Sequence, residues 1–193
     1  MTRTNVPVAR PVFDAFSSEA KRRDRTLSAF ANESLSLIAK ISAEGGDPAE
    51  LYTLWRCCSL LKQVDVVTLP SDFVDRLIAK QYESDKENLL KMFRDLGSEL
   101  VGILKIGARD ISELATLAND FTMLLPIKKF KISKLRDSDA LEIGIIGAGR
   151  RIESTECSFT FLQSILHGYG YAVTKHELSV GTMIIQAVRG NSF

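Results

Sequence analysis

Between Arg3 and Val8 the side chains alternate, with Arg3, Asn5 and Pro7 on one side and Thr4, Val6 and Val8 on the other. That is the period of a strand with one polar and one apolar face. A lone six-residue strand is not stable in water and needs a partner to complete its ladder. Pro7 has no N–H to give to a ladder, so this strand belongs at an edge or in a two-stranded ribbon. The sequence that follows is helical in pattern, so a second copy of the chain is the natural source of the partner. This one feature predicts a dimer.

The next segment sets the rest of the N-terminal unit. Pro11 suits the first position of a helix, and Val12, Phe13, Phe16 and Ala20 follow at helical spacing. Lys21, Arg22 and Arg23 end that helix, where cations favour the negative end of its dipole. Asp24 and Arg25 make a turn, and Thr26 is a good N-cap for a second helix bearing Leu27, Phe30, Ala31, Ile38 and Ile41, with Leu35 and Leu37 widening the stripe. Position 29 is Ala, so the cap rests on the Thr26 hydroxyl without the reciprocal Glu of a capping box.

This order of strand, helix, AKRRDRT and helix over residues 2–41 resembles the ribbon-helix-helix family of bacterial and archaeal repressors. The resemblance implies that two chains pair their strands antiparallel and lay the ribbon in the major groove of DNA. Carried onto this sequence, the base readers are Arg3 and Asn5, with Pro7 at the third outward position. The phosphate holders are Thr26, Leu27 and Ser28 at the start of the second helix, with Arg25 beside them. The chemistry suits those roles. Arginine forks onto guanine and asparagine pairs with adenine, each worth about 1–3 kcal/mol of discrimination, and a helix N-terminus holds an anion. Proline departs from the polar or basic residue common at that third position and leaves at most a thymine-methyl contact. The alternative is a plain packing unit of one strand and two amphipathic helices.

Beyond Glu44-Gly45-Gly46, which breaks the second helix, the pattern is helical as far as Pro126. Asp47 and Pro48 start a helix whose expected inner side is Leu51, Leu54, Trp55, Cys58 and Leu61, with Trp55 in the core. The segment Val64–Leu69 is extended and apolar. Ser71 or Asp72 starts a helix bearing Phe73, Val74, Leu77 and Ile78, and Ser84-Asp85 caps a longer one carrying Leu89, Leu90, Phe93, Leu96, Leu100, Val101 and Leu104. A further helix is expected over 111–125. Cys57, Cys58 and Cys157 are too few for a disulfide framework and fit buried thiols in a reducing cytoplasm.

After Pro126 the period changes to that of strands. Two strands are expected at 129–135 and 141–146 around the turn RDSD, a short helix at 158–167, and two more strands at 171–178 and 182–188 turning at Val180-Gly181. The fold class is therefore α+β, with an N-terminal ribbon-helix-helix, a helical middle and a small C-terminal antiparallel sheet carrying a helix in a βαββ-like order. The expected domains are 1–43 for DNA binding and dimerisation and 47–193 for the body. Gly147-Ala148-Gly149 is read as a turn rather than a dinucleotide fingerprint, since the third glycine and a following long helix are not expected there. Cys157, His167, His176 and Glu177 match no metal-ligand spacing, and no catalytic triad context is found, so neither metal, cofactor nor enzyme activity is expected. The segments FRDLGSELVGIL, FKISKL…LEIGII and ECSFTFLQSILHGYGYAVTKHEL resemble the 4-vinyl-reductase-like small-ligand sensing domains over about residues 85–189, with Cys157, Phe159, Gly168 and Glu177 in place. Ser179 and Met183 stand where that family's pattern carries cysteines. The resemblance implies a cleft for a small, mostly apolar molecule.

Charge adds one pointer. The net charge is +1, but residues 1–40 carry seven Lys or Arg against four Asp or Glu, leaving 18 basic against 20 acidic residues in the remainder. A basic end on a near-neutral body points to an anionic partner. No apolar run long enough for a membrane span and no apolar signal segment are seen, so a cytoplasmic location is expected. The function expected is a dimeric, sequence-specific DNA-binding transcription regulator whose body can sense a small ligand. The other expectation is a ligand-binding dimer whose N-terminal segment only dimerises.

Overall fold

The computed structural model describes residues 5–134 and 140–190, and the chain divides into two units, Met1–Tyr52 and Thr53–Phe193.

In the first unit, α1 spans Arg10–Arg22 and α2 spans Leu27–Ala43. Pro11 sits in the first turn of α1, where its missing N–H costs no bond. The chain turns through Asp24, held at φ +53°, and the Arg25 N–H returns to the Ala20 carbonyl at 2.9 Å. Phe16 of α1 stacks on Phe30 of α2 with ring centroids 4.5 Å apart. Past α2 the chain reverses at Gly45, at φ +81°. Little else is covered. Ala20 is the one buried residue of the two helices, while Val12, Phe13, Leu35, Leu37 and Ile38 of the expected inner stripes are exposed. Of the expected ribbon strand, Arg3 lies outside the described residues, and Asn5 to Ala9 form no regular element within the chain.

The boundary of the units falls in the first turn of α3, Glu50–Gln63. α3 is rotated part-way from the side expected, with Leu61 kept on the inner flank. Cys57 is fully buried and Leu60, Leu61 and Val64 follow it at helical spacing, whereas Trp55 is 62% exposed and Cys58 is exposed. Adjacent residues on a helix point about 100° apart, so one narrow stripe cannot take both cysteines. The expectations of a core Trp55 and of three buried thiols are corrected accordingly. The segment after α3 has no strand, and Val66, Val67 and Leu69 are exposed.

α4, Ser71–Gly107, is two helices joined at Asp85, whose φ of −157° and ψ of 78° leave the helical region. The Asp85 carboxylate accepts the Asn88 N–H at 3.1 Å and caps the second half, as the Ser84-Asp85 signal predicts. In the first half Asp75 and Ala79 face inward, and Phe73 and Leu77 face out. α5, Ile111–Phe121, is capped by Asp110, which accepts the Ser112 and Glu113 N–H groups at 2.8 and 2.9 Å. It is shorter than expected.

The sheet of this unit is antiparallel in the order β1-β2-β4-β3, with β1 at Lys129–Lys134, β2 at Ala140–Ile146, β3 at Tyr171–Ser179 and β4 at Thr182–Arg189. The turn RDSD lies outside the described residues. Val180-Gly181 makes the β3–β4 turn, with Gly181 at φ +70°. Alternation decides the faces. Leu141, Ile143 and Ile145 of β2 and Met183, Ile185 and Ala187 of β4 are buried. Between β2 and β3 runs α6, Ile152–Gly168, whose Phe159 and Leu166 join Ile143, Ile145, Met183 and Ile185 in one core cluster. α6 starts six residues before the expected 158, since the polar run Glu153 to Ser158 gave no apolar period to read. α4 crosses α6 closely at Gly97, where a Cβ would lie 2.5 Å from the Phe161 carbonyl oxygen. Tyr82 also ties these helices, its hydroxyl donating to Glu156 at 2.5 Å, with Lys86 2.9 Å from the same carboxylate. Burial pushes the Glu156 carboxyl up, but the bonds from Tyr82 and Lys86 outweigh it and hold the group below its ordinary value.

Candidate functional site

Two places qualify, one in each unit. In the first unit the expected phosphate holders stand together. Thr26 caps α2 by accepting the Ala29 N–H at 3.2 Å, and Thr26 and Ser28 are exposed at the open N-terminus of the helix. That end carries partial positive charge and unused N–H groups. Asn5 and Pro7 are exposed as well. The basic residues are less available than their count implies. Glu19 takes Arg22 at 2.6 Å and Arg23 at 2.5 Å, and Glu33 takes Arg25 at 2.8 Å. The Arg22 and Arg23 guanidiniums hold the Glu19 carboxyl down at about 2. These pairs are solvent-exposed and weak, so a phosphate can displace the carboxylates.

The second unit contains a cavity of about 1230 Å³. Leu69 after α3, Ile78 of α4, Phe121 of α5, Ile143 of β2 and Leu162 of α6 are among its apolar walls. Its size exceeds the usual range of small-molecule sites, and its lining is of the kind such sites use, with a few polar groups set among apolar ones. The polar end is built by the link from β2 to α6. Gly147 and Gly149 stand at φ +100° and +105°, a conformation other residues rarely take. The Gly147 and Ala148 N–H groups donate to the Gly181 carbonyl at 2.7 and 3.1 Å, and the Gly181 N–H returns to the Thr155 hydroxyl at 2.9 Å. Thr155 in turn donates to the Arg151 carbonyl at 2.9 Å, so the turn, the hairpin and the first turn of α6 are one knot.

Two polar side chains at this knot were not singled out from sequence. Asp75 of α4 is 5% exposed and accepts the Arg150 N–H at 3.2 Å. Ser154 of α6 is 2% exposed, and its hydroxyl has no hydrogen-bond partner. Both line the cavity. Asp75 had a legible signal, a carboxylate at helical spacing with Val74, Ile78 and Ala79 inside an apolar stripe. Ser154 had none, because the helix was expected to begin after it. A 17-residue helix does follow Gly149, contrary to expectation, but Gly147-Ala148-Gly149 is a turn as read, and its glycines serve close approach: a Cβ on Gly149 would lie 2.6 Å from that of Ser154.

The remaining candidates are dispersed. Among the described residues no three His, Cys, Asp or Glu groups gather as a metal site. The His176 ring lies against Phe159 at 4.3 Å, and His167 sits in the last turn of α6. Cys157 is fully buried, and burial pushes its thiol up to about 11, so it is no nucleophile at neutral pH. Burial likewise raises Cys57. No helix among the described residues is long and apolar enough to cross a membrane.

No protein-family model matches this sequence, and neither does any curated protein. Four solved chains match in structure. One is a mutant structure of T. Tengcongensis H-NOX, at a TM-score of 0.39 and 14% identity, covering 67% of this chain and 82% of that one.

Proposed function

We propose that this protein is a dimeric, DNA-binding transcription regulator whose second unit senses a small apolar ligand. The observation that carries the first part is the uncovered apolar surface of the first unit. Val6, Val8, Val12, Phe13, Leu35, Leu37 and Ile38 are all exposed there, while Ala20 is the one residue of α1 and α2 that is buried. A two-helix hairpin with so small a core is marginal by itself. A second copy covers such a face and also supplies the missing strand for residues 3–8. The ribbon then turns Arg3, Asn5 and Pro7 toward base edges, while Thr26, Leu27, Ser28 and Arg25 hold phosphate. The cavity of the second unit supports the sensing part.

Fluorescence anisotropy with labelled duplexes from the chain's own upstream region tests the DNA reading. Replacing Arg3 and Asn5 together by Ala is expected to remove sequence preference, and Thr26→Ala to weaken all duplexes alike. Unchanged preference in the double variant excludes the ribbon. A second reading, a ligand-binding dimer without DNA contact, is favoured by one fact: Arg22, Arg23 and Arg25 are already paired with Glu19 and Glu33. Salt separates the two. A DNA binder loses affinity steeply and linearly on a log–log scale, whereas the alternative binds no duplex at any salt.

A further inference from the structure

Ser154 and Thr155 are neighbours in the first turn of α6, both hydroxylic and both buried, yet they are treated differently. Thr155 makes two hydrogen bonds within the knot. The Ser154 hydroxyl makes none, at 2% exposure, on the wall of the cavity. A buried hydroxyl without a partner is costly, and such orphans in folded proteins mark places where something else completes the bond. α6 has no side-chain cap at this end, so its first N–H groups and dipole also favour an acceptor here.

Asp75 supplies the opposite demand. Its carboxylate is 5% exposed and accepts the backbone N–H of Arg150 at 3.2 Å. No Lys or Arg side chain of the described residues lies within ion-pair distance of it. A buried carboxylate so lightly supported favours a further donor. Both groups line the cavity beside the same glycine turn, since Ser154 packs on Gly149 and Asp75 accepts from the next residue, Arg150. Lys128 and Arg150 also line the cavity, but both are exposed, so water screens their charge more than that of Asp75.

We infer that the cavity takes an apolar molecule whose polar group is a hydroxyl, accepting from Ser154 and donating to Asp75. A hydroxyl is both donor and acceptor, which an ether is not. A carboxylate brings a negative charge against Asp75, which disfavours it. The rest of the molecule is held by the apolar walls. This inference rests on the sensing part of the proposed function and is independent of DNA binding.

The test is isothermal titration calorimetry of the full chain with decanol, its methyl ether and decanoate at neutral pH. Decanol is expected to bind, and the ether to bind several-fold to about tenfold more weakly for want of one hydrogen bond. Decanoate is expected to be weaker still, and Asp75→Asn to improve it relative to decanol. Ser154→Ala is expected to weaken decanol by a similar several-fold factor while leaving the ligand-free protein at least as heat-stable as the parent. A structural role for that hydroxyl would instead lower the melting temperature. Equal binding of the three heads overturns the head-group assignment but leaves an apolar ligand site. Binding of none overturns the sensing reading as well, and the DNA experiment above is unaffected by either result. The head-group series uses the unmodified chain, so it holds even if a variant fails to fold.

Discussion

The helices of the first unit leave Val12, Phe13, Leu35, Leu37 and Ile38 at the surface around a single buried alanine, Ala20. The second unit closes Ile143, Ile185, Leu141, Met183 and Leu166 almost completely. The sequences are not that different in apolar content; the geometry is. A sheet presents one whole face, and α6 lies across it, so each inward residue of β2 and β4 meets several neighbours. Two helices joined by a tight turn meet along one line, and each keeps an apolar flank without cover. The second unit carries its own cohesion, whereas the first leaves most of its apolar surface uncovered.

The sharpest way to break this contrast is to damage the core that is meant to be self-sufficient. Ile185→Ala, at a fully buried position of β4, is expected to cost about 2–5 kcal/mol by transfer and cavity terms. Urea unfolding followed by fluorescence checks it, and a loss under 1 kcal/mol would mean a looser core. Next is the helix crossing. Gly97→Ala drives a methyl toward the Phe161 carbonyl and is expected to destabilise by about 1–3 kcal/mol, read in the same experiment.

For the first unit the expected signature is dependence on concentration. On the proposed dimer, Ile38→Asp is expected to shift sedimentation toward monomer and to lower helix content on dilution, while the unfolding of the second unit is unchanged. Thr26→Ala removes the cap of α2 and is expected to cost about 1 kcal/mol, seen as reduced helicity. The smallest effect concerns Glu19. Its carboxyl is lowered in the folded chain, to about 2 against about 4.3 unfolded. The group therefore adds stability above its unfolded value, and that contribution fades as pH falls from about 4.3 toward 2. Lying at the surface, where solvent screens its pairs, it gives only a slight loss of helicity in acid, erased by salt.

Much of the architecture was legible locally. Thr26 and Asp85 both cap helices through their own side chains, which depends on the residue and its near neighbours alone. The β3–β4 hairpin likewise turns at Val180-Gly181, where glycine takes the positive φ. The inward side of α3 was not legible, because Cys57 and Trp55 lie on flanks of comparable hydrophobicity and only the neighbouring elements choose between them. The start of α6 was missed for a related reason: a polar first turn carries no period until it is known to be buried.

What the chain determined by itself, then, is the order of its helices and of the four sheet strands, several of their caps and turns, and the alternation that gives the sheet an inner face, all consequences of interactions within a few residues. Only the tertiary structure decided that Asp75 and Ser154, 79 positions apart, line one large apolar cavity beside the same glycine turn. No local rule places them there. Their common wall follows from how α4 and α6 pack, and packing depends on every surface at once.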